Sequence, residues 1–272
     1  MMLGIALLFA LLRLFSAIWF VLKFYGYRLE LHHDLLHVRC GLFTQVSATV
    51  PRGRIQLISV QRSWFARKIG LASIRIETAG GNRKGEDMAT SVGRRWFVPV
   101  LLDRDVERIL GVLDQRVVFD EAALNWQPLA RDATKRMRRP FIAASIVLFV
   151  VGLYLQPYWG WCVGLVVAIM GNWYVKKKSK SRRYARTDWG VVFRSGTWIQ
   201  KCSMTFFEKI QSARLDQTPL DRRWGMQTLR LDTASAGPAD HSICISLLDS
   251  EHASAEFKNL KNAIAMHSKY GH

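Results

Sequence analysis

Three histidines near the start of the chain are the first candidates for chemistry. Histidine nitrogens bind zinc, but a structural zinc site needs four tetrahedral ligands. The sequence identifies no cysteine or carboxylate that completes such a set around His32, His33 and His37. His33 and His37 are four positions apart and would align on a helix, but the surrounding pattern predicts strands. We therefore interpret all three as surface histidines, and we expect no metal and no cofactor.

Acidic residues offer a second possible chemistry. Asp103, Asp105 and Glu107 could serve acid–base catalysis, but they open a predicted helix, where acidic side chains are favoured electrostatically. Glu86 and Asp87 lie in a polar loop and are expected to be solvated. The sequence contains no G-x-S-x-G motif, no H-E-x-x-H motif and no phosphate-binding glycine loop. We predict that the chain is not an enzyme.

Two basic pairs, Arg67-Lys68 and Arg222-Arg223, are the best candidates for a binding role. They could contact a partner protein or anionic lipid headgroups, where each basic residue contributes about 1 kcal/mol. Alternatively, each pair is the solvated side of a short helix whose apolar residues turn inward. Those apolar residues are Phe65, Ile69, Leu220 and Trp224. Both interpretations remain open at this point.

The remaining positive charge is concentrated beside one uncharged segment. The 272-residue chain is half hydrophobic and has a net charge of +18. The cations before the segment are Arg131, Lys135, Arg136, Arg138 and Arg139, and those after it are Lys176, Lys177, Lys178, Lys180, Arg182, Arg183 and Arg186. Basic residues beside membrane spans set topology and meet anionic lipid. Nucleic-acid surfaces interleave such charges with exposed aromatic residues on a soluble fold, so we expect no nucleic-acid partner.

Two apolar segments are candidates for membrane spans. Residues 2–22 are interrupted only by Arg13 and have about the length that crosses a bilayer. No cation precedes this segment and bulky residues end it, which argues against a cleaved signal peptide. Arg13 is expected to reach the interface, face another helix or meet a partner, or to be a tolerated defect near a helix end.

The second apolar segment covers residues 140–175 without a charge. A single helix of this length would measure about 54 Å, which exceeds the hydrocarbon core of a bilayer. Gln156-Pro157 divides it, and aromatic residues cluster there as at a membrane interface. The flanking cations oppose a buried soluble hairpin. We predict a membrane hairpin with its tip outside, three spans in all, and two cytoplasmic segments.

The cysteines agree with a reducing location. Cys40, Cys162, Cys202 and Cys244 include no C-x-x-C pair, and Cys162 lies within an apolar segment. We therefore predict neither a disulfide framework nor a zinc site, which fits domains that face a cytoplasm.

The two non-membrane segments are copies of one unit. A shift of 155 positions superimposes them without a gap, and ten of the 41 positions from Arg39 to Ala79 are identical. The identical pairs are Arg39/Arg194, Gly41/Gly196, Gln45/Gln200, Ile55/Ile210, Gln56/Gln211, Arg67/Arg222, Gly70/Gly225, Arg75/Arg230, Thr78/Thr233 and Ala79/Ala234. Self-similarity at a fixed spacing indicates a duplicated structural unit.

Each unit is predicted to be rich in β-strands. Tyr27, Leu29 and Leu31 alternate with polar residues, as in a half-buried strand. Similar strands follow, and each unit ends in an amphipathic helix, the first capped by Asp103 and the second by Asp249 or Ser250. The predicted segments are a membrane helix at 1–24, a first unit at 25–117, a basic linker at 118–139, the hairpin at 140–175, a basic segment at 176–186 and a second unit at 187–268.

Several motifs resemble a known family. They are residues 51–56 (PRGRIQ), 67–71 (RKIGL) and 74–80 (IRIETAG), echoed by 209–211 (KIQ), 222–225 (RRWG) and 229–234 (LRLDTA). The chain resembles the bacterial pleckstrin-homology-like membrane proteins of the YdbT/YdbS kind. The resemblance implies two packed antiparallel sheets closed by a C-terminal helix in each unit, attachment to the bacterial inner membrane, and no known catalytic residues.

These observations lead to three functional hypotheses. The first is a membrane-anchored scaffold that binds a related membrane protein or its own copy. The second is an accessory subunit of an export or resistance transporter, with the three spans packing on the transporter and Arg13 as the residue that tests this packing. The third is a sensor of anionic lipid of the inner leaflet, with the two basic pairs as the contact residues.

Overall fold

The computed structural model describes residues 2–79, 97–114, 116–117, 119–156, 158–234 and 242–270. The elements of the first unit are α1 (Met2–Lys23), β1 (Arg28–His32), β2 (Leu35–Cys40), β3 (Val46–Pro51), β4 (Ile55–Ser63), α2 (Trp64–Lys68), β5 (Leu71–Thr78), β6 (Val98–Leu102) and α3 (Val106–Leu113). Glu86, Asp87 and Pro157, which entered the sequence predictions, lie outside the described residues.

The rest of the chain forms a linker, a helical hairpin and the second unit. Its elements are β7 (Gln127–Pro128), α4 (Ala133–Leu155), α5 (Trp161–Ser181), β8 (Arg183–Arg186), β9 (Gly190–Ser195), β10 (Ile199–Phe206), β11 (Ile210–Asp216), α6 (Pro219–Arg223), β12 (Met226–Thr233), β13 (Ser242–Asp249) and α7 (Ser250–Tyr270).

The glycines that the repeat retains have the same structural role in both units. Gly41 and Gly196 follow the second strand of each unit with φ angles of 110° and 93°, a region that disfavours other residues. A Cβ at Gly41 would collide with the carbonyl oxygen of Thr44. Gly70 and Gly225 adopt φ angles of 66° and 60° just after the short helices α2 and α6. The duplicated sequence therefore specifies a duplicated fold.

The described strands form three antiparallel sheets, and the two units share the largest of them. Two three-stranded sheets have the orders β1-β2-β3 and β11-β12-β13, and the seven-stranded sheet has the order β6-β5-β4-β10-β9-β8-β7. Strand β4 of the first unit pairs with β10 of the second, with Ser59 opposite Ser203. The units are thus joined edge to edge by backbone hydrogen bonds rather than linked as separate domains.

The shared sheet is buried on both faces. Ile58 and Val60 of β4 join a core that includes β2, β5 and α3 and that also receives Met204 of β10. Leu57, which alternates with them, points into a second core formed with β8, β9, β12, β13 and α7. Six consecutive residues from the start of β4 are buried as a result. The molecule has three layers, with the shared sheet in the middle.

The helical hairpin packs closely through small residues. A Cβ at Gly164 of α5 would lie 2.6 Å from Cβ of Phe149, and one at Gly171 would lie 2.9 Å from Cβ of Phe141. Such close backbone approach is typical of packed membrane helices. The outward apolar side chains of the hairpin are exposed.

The prediction of three membrane spans is not supported. Among the described residues, one helix, Ala133–Leu155, has the length and apolar composition of a span, and 6% of its most apolar stretch is buried. Helix α5 differs because Lys176, Lys177 and Lys178 continue its helix instead of following it. The N-terminal helix α1 carries exposed apolar side chains along its length.

The predicted boundaries of the second unit also differ from the structure. The unit begins before residue 187, because β8 belongs to its sheet and Tyr184 and Ala185 are buried there. Residues 118–139, predicted as a linker, contribute β7 to the same sheet and Leu129 to the second core. The prediction that Asp103 caps α3 is wrong, because no side chain caps this helix. The carboxylate of Asp103 instead forms an ion pair with the buried Arg62 of β4.

Candidate functional site

The short helix α2 brings the first basic pair to the junction between the units. Strand β4 ends at Ser63, whose hydroxyl accepts a hydrogen bond from the amide of Ala66 at 3.1 Å and caps the helix. Helix α2 is only five residues long and ends at Lys68, and the chain reverses at Gly70 into β5. The two basic side chains of α2, Arg67 and Lys68, have different surroundings.

Arg67 contacts the second unit. Its Nη1 donates to Oε1 of Gln200 at 3.3 Å and its Nη2 donates to the carbonyl oxygen of Thr197 at 3.2 Å. These partners lie on β10 and in the turn before it, beside the point where β4 and β10 pair. Arg67 thus connects the two copies of the repeat.

Lys68 remains on the surface beside exposed aromatic rings. Its ammonium group lies 4.3 Å from the centre of the Trp64 ring. Phe65 is 65% exposed, and Trp198 of the neighbouring β9–β10 turn is 56% exposed. Lys177 of α5 lies 5.1 Å from the Trp198 ring centre. We call these five residues the aromatic–basic patch; it borders the base of the helical hairpin.

The second basic pair lies at the repeat-equivalent place but has different surroundings. Arg222 and Arg223 of α6 are both exposed. Within the described part of the chain, no hydrogen bond or ion pair engages the guanidinium of Arg222. Arg67 and Arg222 therefore lie in equivalent helices. Among the described residues, the guanidinium of Arg67 has hydrogen-bond partners and that of Arg222 has none.

The basic residues beside the hairpin are partly used to attach it to the second unit. Arg136 pairs with the buried Asp221 of α6 at 3.2 Å, and Arg139 lies 4.5 Å from the ring centre of Trp224. Lys178 lies 5.5 Å from the ring centre of Tyr174. Arg138 and Lys176 are exposed.

Arg13 lies on the exposed helix α1, away from the basic pairs. Its guanidinium carbon is 5.0 Å from the centre of the Phe9 ring, one turn earlier in the same helix. Such a contact is a modest cation–π interaction. No acidic partner for Arg13 occurs within the described residues.

The sequence analysis did not find a charge network at the junction that is built around the buried Arg62. Arg62 of β4 contacts Asp103 at 2.6 Å and Glu121 at 2.9 Å, and Arg194 of β9 contacts the other oxygen of Glu121 at 2.9 Å. Burial disfavours the charged form of Arg62, but the hydrogen bond to Asp103 and the attraction of Glu121 outweigh burial and raise its pKa. Glu121 therefore bridges cations from both units.

The buried thiol nearest to this network is inert at neutral pH. Cys202 of β10 is fully buried. Burial, assisted by the negative charge of Glu121, raises the pKa of the Cys202 thiol to about 12. Since the thiolate is the reactive form, Cys202 is a packing residue of the first core.

The residues first considered for metal chemistry do not assemble into a site. The His32 and His37 ring centres are 5.7 Å apart, His37 Nδ1 lies 2.9 Å from the Thr49 hydroxyl, and His32 lies 3.5 Å from Glu30. Across the residues that the structure describes, no group of three or more histidine, cysteine or acidic side chains could hold a metal ion.

The comparison with protein families decides the assignment. The family model of the bacterial PH domain matches residues 1–116 and again residues 135–266. The chain belongs to the bacterial PH domain family. The two matched segments correspond to the two copies of the repeat, so the predicted internal repeat is confirmed. The first segment includes α1, and the second includes both helices of the hairpin apart from the first residues of α4. Neither the curated proteins nor the solved structures contain a match to this bacterial PH protein.

Proposed function

We propose that this bacterial PH protein is a non-enzymatic, membrane-anchored scaffold that assembles with a related membrane protein or with its own copy. The observation that carries the proposal is the helical hairpin, whose outward apolar side chains pack against neither unit. An apolar surface of this length costs free energy in water, and lipid would cover it. The proposed location is the bacterial inner membrane, with both units in the cytoplasm.

The two ends of the hairpin support this orientation. Tyr158 and Trp159 are exposed at its tip, and Trp173 is exposed at its base, where Lys177 lies 4.8 Å from the Trp173 ring centre. Aromatic residues favour both interfaces of a membrane, and lysines favour the cytoplasmic one. The basic ends of the hairpin lead directly into the shared sheet.

The aromatic–basic patch favours contact with anionic lipid as an additional role. Exposed Phe65 and Trp198 can enter the interfacial region while Lys68 and Lys177 meet acidic headgroups. Arg67 is engaged at the junction, so Lys68 is the lipid-contacting member of the first basic pair in this proposal.

The experiment that tests the scaffold proposal is purification in mild detergent from the native membrane, with measurement of mass and of co-purified proteins. A complex larger than one chain, or a stoichiometric partner from the same membrane, is expected. Recovery of the chain alone at monomer mass would overturn the proposal. Extraction by salt or alkaline wash without detergent would overturn the membrane anchor.

A further inference from the structure

The junction inside the chain is formed by two strands, and each of these strands has an equivalent in the other copy of the repeat. Strand β4 of the first unit pairs with β10 of the second unit. The shift of 155 positions maps β3 onto β10 and maps β4 onto β11. Each unit therefore carries both a β4-type edge and a β10-type edge, but the chain uses only one of each.

The unused edges are open. Strand β3 is the outer strand of the sheet β1-β2-β3, and β11 is the outer strand of the sheet β11-β12-β13, among the described strands. The side chains of Ser47 and Thr49 on β3 and of Ser212 and Arg214 on β11 are exposed. An unpaired edge presents backbone donors and acceptors to a further strand.

The side chains that connect the units are also retained at the open ends. Arg67 donates to Gln200 across the junction. Their repeat equivalents are Arg222 and Gln45, which are identical in type and exposed. Arg222 belongs to the helix that follows β11, and Gln45 directly precedes β3. The open strand β11 is therefore followed by the equivalent of Arg67, and the open strand β3 is preceded by the equivalent of Gln200.

The helices that precede the two units are compatible with repetition of this junction. Helix α1 leads into β1, and α5 leads into β8, the equivalent strand of the second unit. The operation that relates the two units therefore places α5 at the position equivalent to α1. A further unit added by the same operation would carry its own helix at that position.

We infer that β11 of one copy pairs antiparallel with β3 of a second copy, head to tail, and that Arg222 donates to Gln45 and to the carbonyl oxygen of Leu42 of that copy. This inference rests on the proposed scaffold function and names its partner as the same chain. Transfer of the β4–β10 register places Ala48 opposite Arg214. A head-to-tail contact of this kind is heterologous and builds a ring or an open row of copies.

The chemistry of the edges makes this contact weaker than the one inside the chain. Met204 of β10 enters the first core, whereas its equivalent in β3 is the exposed Thr49. Backbone hydrogen bonds and the Arg222 contact would therefore carry most of the association. Assembly is expected to depend on the density of the protein in the membrane.

Disulfide trapping tests the register. Inside the chain, Oγ of Ser59 lies 3.2 Å from Oγ of Ser203, and the equivalents of these residues are Arg214 and Ala48. Opposed residues of an antiparallel pair have the Cα separation that a disulfide requires. Two full-length populations with different tags, Ala48→Cys and Arg214→Cys, are mixed in membranes and oxidised. The double variant Ser59→Cys/Ser203→Cys, expected to form the bond within one chain, is the positive control.

The expected result is a covalent dimer that carries both tags, formed only in the mixture and not by either variant alone or by the wild-type chain. Arg222→Glu in the Arg214→Cys chain should lower its yield several-fold, whereas Arg223→Glu, an equally exposed charge reversal one position away, should leave the yield unchanged. Absence of the mixed dimer, with the positive control formed, would overturn the inference.

A mass measurement on the same samples distinguishes failure of the β3–β11 pairing from failure of the scaffold proposal. A complex that is larger than one chain but gives no mixed dimer contradicts the β3–β11 pairing and leaves the scaffold proposal intact. A monomer without any co-purified partner contradicts both. Equal trapping by Ala48→Cys alone would contradict the head-to-tail geometry, because that result requires a symmetric contact.

Discussion

The guanidinium of Arg67 lies 3.3 Å from the side-chain oxygen of Gln200, on the other copy of the repeat. Both residue types recur at a spacing of 155 positions, as Arg222 and Gln45. The first basic pair has two different tasks, since Arg67 connects the units while Lys68 faces solvent beside Trp64.

Loss of the Arg67 contact should destabilise the junction. Arg67→Ala removes two hydrogen bonds from a charged donor that is partly exposed, and we expect the free energy of unfolding to fall by about 1–2 kcal/mol. Thermal unfolding in dilute detergent solution measures the change. Arg222→Ala is the matched control and should change the value by less than about 0.5 kcal/mol. Equal effects of the two substitutions would contradict the assignment.

Substitution of Glu121 should lower the free energy of unfolding substantially. Its removal leaves the buried Arg62 with only one acidic partner and leaves Arg194 without its ion pair, so Glu121→Ala is expected to cost about 3 kcal/mol. Denaturant unfolding measures this cost. Glu107→Ala, at an exposed acidic position of α3, is the control. A Glu121 variant as stable as the control would rule out the bridging role.

The sequence predicted the local features of this fold because they depend on neighbouring residues. Alternation of apolar residues located the strand around Leu29, and glycines such as Gly41 and Gly70 marked the turns. The shared sheet was not predicted, because the contact between Ser59 and Ser203 joins positions 144 residues apart. Pairing of two edges leaves no periodic signal in either strand.

The candidate site was only partly predictable for the same reason. The recurrence of Arg67 at Arg222 drew attention to both helices, but their different environments follow from which edge is paired. Glu121 lies outside the repeated segment, so the repeat gave no signal for the charge network. The charges around Lys177 were assigned to a segment after the hairpin because charge density does not distinguish a helix end from a linker.

The close packing of the hairpin can be tested with two glycines in different surroundings. A Cβ at Gly164 would overlap Phe149, whereas one at Gly111 of α3 would meet no atom within 4 Å. Gly164→Ala should therefore destabilise the protein by about 1–3 kcal/mol. Gly111→Ala should stabilise it by about 0.5–1 kcal/mol, because alanine favours a helix. Thermal unfolding of both variants gives the sign of each change in stability. A Gly164→Ala variant as stable as the wild-type protein would contradict the close packing of the hairpin.

Cys202 should make the folded protein less stable in alkali. Burial raises its pKa to about 12, whereas an unfolded thiol ionises near about 8.5. Between these values the unfolded state binds fewer protons than the folded state, so stability falls as pH rises, by up to about 1.4 kcal/mol per pH unit. Cys202→Ala should reduce this slope, and Cys244→Ala should not. Unfolding curves from pH 8 to pH 11 give both slopes; equal slopes would contradict the burial of the thiol.

The shared sheet requires that both units lie on the same side of any membrane that the hairpin crosses, and in the proposed function that side is the cytoplasmic one. Cysteines are introduced one at a time at Ser47, Ser212 and Tyr158 in a chain that keeps the buried Cys40 and Cys202 and has Cys162 and Cys244 replaced by alanine. Each variant, and the same chain without an introduced cysteine, is exposed to an impermeant maleimide in intact spheroplasts and again after lysis. We expect Tyr158→Cys to react from outside and Ser47→Cys and Ser212→Cys to react only after lysis. Reaction of only one of the last two from outside would place the units on opposite faces and contradict the shared sheet, and reaction of both from outside would contradict the cytoplasmic location.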